Sequence, residues 1–155
     1  PFAPEAYGAE LFEKSGDLAR DRGMAFLQAL IERRARATAP TRPSERQTAR
    51  WAERYWPHHR HRYRSMEPLA YQRLGLAMVR QTPVVDRLGE LALPVGVLVG
   101  LDDEEFLAGC TRLGADVPGA RLVEIPDAGH HPHREAPEAW LDAVCAHLAR
   151  AGSPA

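Results

Sequence analysis

The amino-acid sequence predicts an α/β chain, with a helical region over residues 1–85 followed by a strand-helix-strand-helix unit over residues 86–155. Three observations carry that prediction. The run Pro94-Val95-Gly96-Val97-Leu98-Val99-Gly100 is apolar, rich in valine and too short for a helix, which is the pattern of a buried parallel strand. Ala120-Arg121-Leu122-Val123-Glu124-Ile125 is a second such run with two charges mixed in, as suits a strand near a sheet edge. Residues 1–92 read instead as helices and loops, with apolar side chains at helical spacing.

Taken in order, Ser15 and Asp17 precede Leu18, Met24, Leu27 and Ile31, which fall on one face of a single helix. Ala39-Pro40 and Arg42-Pro43 break it. Ser44 and Glu45 open a second segment with Trp51 and Tyr55 one turn apart, and Pro57 ends it. His58 to Arg64 is polar and basic and reads as a loop or an exposed helical turn. Pro68 starts a third helix with Tyr71, Leu74, Ala77 and Met78 facing inward. Asp86 to Leu91 is a short turn of helix. After the first strand, Asp102 or Asp103 caps a helix with Phe106, Leu107, Cys110 and Leu113 on one face. Pro118-Gly119 turns the chain into the second strand. Pro137 opens a last helix whose buried side holds Trp140, Leu141, Val144, Cys145 and Leu148, and Ala151 to Ala155 is a frayed tail.

Composition narrows the functional classes. The chain has 155 residues, 45% hydrophobic and 26% charged, which suits one soluble domain or part of a larger one. A net charge of −1 provides no global field for nucleic acid or an anionic membrane, so neither is expected as a partner. No signal peptide or apolar run of membrane-spanning length is visible. Cys110 and Cys145 are too few for a disulfide framework and read as inert buried thiols of a cytoplasmic protein. The chain starts at Pro1 without an initiator methionine, as a processed chain or a piece of a longer one does.

The strand order brings two loops together. A βαβ unit runs its strands in parallel, so the loops after Val99 and after Ile125 emerge at the same edge, where open α/β sheets bind ligands. Asp103 therefore meets His130. A histidine titrates near neutrality and serves as general base, and a carboxylate on its Nδ1–H fixes the tautomer and stabilises the imidazolium that forms.

These residues carry a family resemblance. Gly100-Leu101-Asp102-Asp103-Glu104-Glu105-Phe106 resembles the acid segment of the α/β-hydrolases, in which G-x-x-D follows a buried strand. Pro118 to His130, with the tail His130-x-x-His133-x-Glu135-x-Pro137, is similar to the last strand and histidine loop of that family. The resemblance covers about residues 86–150, and residues 1–85 look like its variable helical cap. It implies the C-terminal part of an α/β-hydrolase fold, with Asp103 and His130 as catalytic residues, no cofactor and no metal. The chemistry implied is hydrolysis of an ester, acyl or C–C bond in a small-molecule substrate. Within the family, the menaquinone-pathway synthases share the same run; they use their triad to abstract a proton and eliminate pyruvate. Asp102 competes for the acid role, and the family's G-x-x-D spacing favours Asp103.

The nucleophile elbow G-x-S-x-G of the family is not found. Ser15, Ser44, Ser65 and Ser153 lack flanking glycines in a strand-turn-helix. The nucleophile and oxyanion hole are therefore expected from a missing N-terminal half, a partner in the same gene or on a separate chain. The competing expectation is a non-catalytic fragment acting as an interaction module. Other constellations have plainer readings. The two H-H-x-H clusters lack companion carboxylates or thiols at ligand spacing and read as solvated histidines. His133 and Glu135 are expected to stabilise the loop or the start of the last helix. Arg60 to Arg64 reads as a solvated surface rather than a phosphate contact. Trp51, Tyr55 and Trp56 serve equally as pocket lining or core, and Trp140 as core.

Overall fold

The computed structural model describes residues 8–152, and those residues divide into two compact units, one ending at Thr82 and one beginning at Pro83. The expected α/β architecture is not what forms. Among the described residues the chain is predominantly helical, with eight α-helices, one 3-10 helix and a single two-stranded sheet. It is a helix-dominated fold and not the C-terminal part of an α/β-hydrolase. The physical reason is a shortage of strands. The first unit contributes none, so the ladder stops at two, and helices rather than a sheet bury most of the apolar surface.

The first unit contains helices α1 (Ala9–Arg22), α2 (Met24–Ala37), α3 (Pro43–Arg50), α4 (Ala52–Arg64) and α5 (Pro68–Arg80). The single helix expected across Leu18 to Ile31 is two helices. Gly23 separates them at φ 86°, ψ 156°, a conformation open to glycine and strained for other residues. Ala19, Met24 and Leu27 form the buried core at that junction, with Leu18, Ile31, Tyr63 and Tyr71 packed against it.

Helix α4 corrects a second expectation, because it continues through Pro57 and holds the basic stretch to Arg64. The proline lies beyond the first turn and deletes the bond to the Glu53 carbonyl. Ring stacking offsets that loss. Tyr55, His59 and Tyr63 follow each other at one-turn spacing, with centroids 5.5 and 4.3 Å apart, and Trp56 meets His59 edge-on. Burial among these rings lowers the His59 pKa to about 4; the charges of Arg62 and His58 add to the effect and Glu32 opposes it. His59 is thus neutral in the fold but charges in the unfolded chain below about 6.5. Stability is expected to be complete above that pH and to fall between 6.5 and about 4. A series of urea unfolding curves from pH 7 to pH 4 checks this, with His59→Phe expected to flatten the dependence.

Helix α5 turns a different face inward from the one its leucines suggest. Leu74 is 71% exposed and Met78 50%, while Gln72 and Gly75 are buried against α1. Gly75 lets the Phe12 ring lie directly on the helix backbone. The amide of Gln72 donates to the Glu13 carbonyl at 3.1 Å and the Asp17 carboxylate at 2.9 Å, and accepts from Arg20. Bulky side chains at this crossing would prevent such a close approach, so the larger apolar residues face outward.

The second unit opens with a 3-10 turn, Val85–Glu90, followed by β1 (Gly96–Gly100), α6 (Leu107–Asp116), β2 (Arg121–Ile125), α7 (Pro132–Glu135) and α8 (Pro137–Ala151). The strands pair in parallel, from Gly96 opposite Arg121 to Gly100 opposite Ile125. Val97, Val99 and Ile125 are buried where α6 and α8 pack on the sheet. Helix α8 corrects another expectation. Trp140, Val144 and His147 form its partly buried stripe, whereas Leu141, Cys145 and Leu148 are exposed. Trp140 is only half-buried, and Cys110 is likewise not fully enclosed. Of the expected tail, residues 153–155 lie outside the described residues. No helix among the described residues is long and apolar enough to cross a membrane.

Candidate acid–histidine site

The site grows from the carboxyl ends of the two strands. The ladder extends past Gly100, with the Leu101 N–H donating to the Ile125 carbonyl at 2.9 Å and the Asp102 N–H to the Ala128 carbonyl at 2.8 Å. These bonds bind the loop after β1 to the loop after β2. Gly100 makes that closeness possible, since a Cβ there would run into the carbonyl oxygens of Ala128 and Gly129. The Asp103 N–H turns back onto the Gly100 carbonyl at 3.1 Å, and the Asp103 carbonyl accepts from Phe106 and Leu107 at the entry of α6. The side chain of Asp103 does not cap that helix, whose N-cap is Phe106 with no side-chain bond. It is left free for another partner.

That partner is His130. Its Nδ1 lies 2.9 Å from the Asp103 carboxylate, across 27 residues of sequence. The two side chains sit in unlike surroundings. The Asp103 side chain is 10% exposed and that of His130 57%, so the carboxylate is enclosed and the imidazole opens to solvent. With Nδ1 engaged, Nε2 is the nitrogen available to a reacting group. The bond from Asp103 raises the His130 pKa; the nearby charges of Asp103, Glu105 and Glu135 act in the same direction and burial opposes them. The pair's contribution to stability is therefore fully present below about 6.5 and is lost as pH rises through the elevated folded value. Of the two competing acids it is Asp103 whose carboxylate meets the imidazole, while the Asp102 N–H donates to the Ala128 carbonyl.

Two side chains support the histidine loop: Phe106, which sequence reasoning places elsewhere, and Glu135, which it expects to stabilise the loop or the start of the last helix. The Phe106 ring lies against the imidazole, centroids 4.8 Å apart, although its spacing had put it on the apolar face of α6. Glu135, read only as a stabiliser of the loop or helix, does so through one oxygen: Oε2 accepts from the Gly129 N–H at 2.7 Å and the His131 N–H at 3.2 Å. It grips the backbone on both sides of His130. The signal in the sequence was the five-residue spacing from His130, which a single turn of helix over Pro132–Glu135 folds back onto the loop. Glu135→Ala is expected to leave the buried Gly129 N–H unsatisfied and cost about 1–3 kcal/mol in denaturant unfolding. An unchanged midpoint would contradict this role.

His131 meets the pair, its ring edge-on to that of His130 with centroids 5.3 Å apart. The histidines 131, 133 and Trp140 continue as a chain of ring contacts. Among the described residues no group of three or more His, Cys, Asp or Glu side chains is arranged to hold a metal ion. The second unit has no serine among its described residues, and Thr111 donates its hydroxyl to the Leu107 carbonyl within α6. Cys110 lies near enough for Asp103 to act on it; burial, then that charge, raises its pKa and keeps it a thiol. Ser15 and Ser65 donate to carbonyls one turn back in their own helices, the ordinary role of a helical serine. The arrangement can orient an imidazole and move a proton, and by itself it offers no activated nucleophile. Comparison with protein-family models, curated proteins and solved structures gives no match to this chain.

Proposed function

We propose that this chain supplies the acid and the histidine of a serine-hydrolase-type triad, in keeping with the resemblance to the α/β-hydrolase family. The supporting observation is the bond between a carboxylate withdrawn from solvent and the Nδ1 of an imidazole whose ring remains open to it. In this reading Asp103 holds Nδ1 protonated, so the Nε2 lone pair takes the proton of a serine hydroxyl as that oxygen attacks a carbonyl carbon. The imidazolium beside Asp103 then returns the proton to the leaving group. The substrate is a small molecule with an ester, acyl or C–C bond next to a carbonyl, and no cofactor takes part. The serine and the oxyanion donors come from a partner segment outside these residues, so the chain alone is inactive. The reading places the protein in a reducing cytoplasm, where Cys110 and Cys145 remain thiols.

Histidine NMR tests the acid–base part in the isolated chain. The His130 titration should lie above the ordinary value of 6.5, and Asp103→Asn should bring it back down. A His130 that titrates alike in both proteins would remove the basis of the reading.

A second reading, a non-catalytic interaction module, is favoured by one observation. The second unit exposes Leu93 (70%), Leu148 (62%) and Leu141 (53%) beside a sheet of only two strands. It expects a chain that is soluble and folded on its own and self-associates. Size-exclusion chromatography with circular dichroism separates the two readings: a folded dimer without activity on joining an upstream segment favours the module.

A further inference from the structure

The helical unit holds a cleft between α2 and α4 whose charge exceeds what its own ion pairs use. It is a shallow groove open to solvent, about 630 Å³ in volume, and four arginines line it: Arg33, Arg36, Arg60 and Arg64. Three alanines of α2 leave its floor free of bulk. One carboxylate, Glu32, faces them, and its side chain is only 12% exposed. Glu32 is fully committed. It accepts from Gln28 at 2.8 Å, from Arg36 at 3.0 Å and from Arg60 at 3.2 Å. Those bonds hold Arg36 and Arg60 in place as walls. Burial alone would raise the Glu32 carboxyl, but the bonds from Gln28 and Arg36 and the charges of Arg60 and Arg36 keep it below the usual range. It stays ionised at neutral pH and has no capacity left for further cations. The side chains of Arg33 and Arg64 have no ion-pair or hydrogen-bond partner among the described residues.

We propose that this cleft binds a small ligand through a phosphoryl dianion, held between Arg33 of α2 and Arg64 of α4. Each guanidinium presents a planar fork that matches two phosphoryl oxygens. A dianion neutralises both unpaired cations, whereas a monocarboxylate meets only one. The whole chain has a net charge of −1, so the positive charge is local to this cleft and suits a compact anion rather than a nucleic-acid track. The basic stretch ending at Arg64 thereby gains a role that a merely solvated surface does not give it.

Isothermal titration of the full 155-residue chain with inorganic pyrophosphate, at fixed ionic strength, tests this. Saturable binding is expected. Arg33→Ala with Arg64→Ala should weaken it about tenfold or more. An equal loss of charge elsewhere on the unit, Arg34→Ala with Arg73→Ala, should weaken it less than about twofold. Arg33→Lys with Arg64→Lys keeps charge and fold but removes the forks, and is expected to bind more weakly than the parent. The proposal is overturned by an absence of saturable binding, by equal losses in the two alanine pairs, by lysine variants that bind as well as the parent, or by acetate competing as well as pyrophosphate.

Discussion

Replacing His130 with alanine, in a protein that unites this chain with the nucleophile-bearing segment of the proposed triad, is expected to lower kcat by about 10³- to 10⁴-fold with little change in KM. The expectation follows from the position of the imidazole. Its Nδ1 is spent on Asp103, and its other nitrogen is left to accept the proton of a hydroxyl. Asp103→Asn should cost a comparable factor by a different route. An amide can donate to Nδ1 as well as accept from it, so the ring would sit in the wrong tautomer with its geometry nearly unchanged. Steady-state kinetics across pH distinguishes the two. The alanine variant should lose the ascending limb that reports the general base, and the asparagine variant should retain a limb moved to lower pH. Full turnover in His130→Ala would end the hydrolase reading, which assigns the proton transfer to this imidazole.

Gly100→Ala is expected to be the most damaging single methyl group in the second unit. The added Cβ would meet backbone carbonyl oxygens of Ala128 and Gly129, which cannot rotate aside as a side chain would. Either the strand end or the histidine loop must move, and overpacking of this kind costs about 1–3 kcal/mol or more. The displacement would also stretch the bonds from Leu101 and Asp102 across to the second loop. Urea unfolding should report the lost stability, and the downfield Nδ1 proton of His130 should broaden or vanish. A variant with the parent's midpoint and an intact downfield proton would show that the loop packing tolerates the change.

The candidate pair could be read from sequence because it depends on local features: a short valine-rich run ending in Gly100, and a second ending at Ile125. Parallel pairing of two such strands places the loops beyond them side by side. The supports of the pair were less legible. Phe106 has the spacing of a helix-core residue, and only the turn at Asp103 moves it to the N-cap, where its ring reaches the imidazole. Gly100 looked like punctuation at a strand end, while its real constraint is contact with carbonyls 28 and 29 residues away.

The helical faces show the same division. Periodicity marks α5 and α8 as amphipathic but does not say which of two adjacent stripes faces inward. On α5 the close crossing with α1 selects Gln72 and Gly75 over Leu74 and Met78. On α8 Trp140, Val144 and His147 are partly buried, His147 against Gly96 of β1, and Leu141 and Leu148 stay outside. Pro57 marks a helix end by local propensity, but the stacked rings of Tyr55, His59 and Tyr63 carry α4 past it.

Sequence by itself determined the two parallel strands, the helices that begin at Pro68 and Pro137, and the meeting of Asp103 with His130, because each rests on local pattern or on the polarity of adjacent strands. Only the tertiary structure decided the fold class. Whether two strands become the start of a larger sheet or a small ladder among helices depends on what else the chain offers to pair with their edges. Here the described residues offer helices alone.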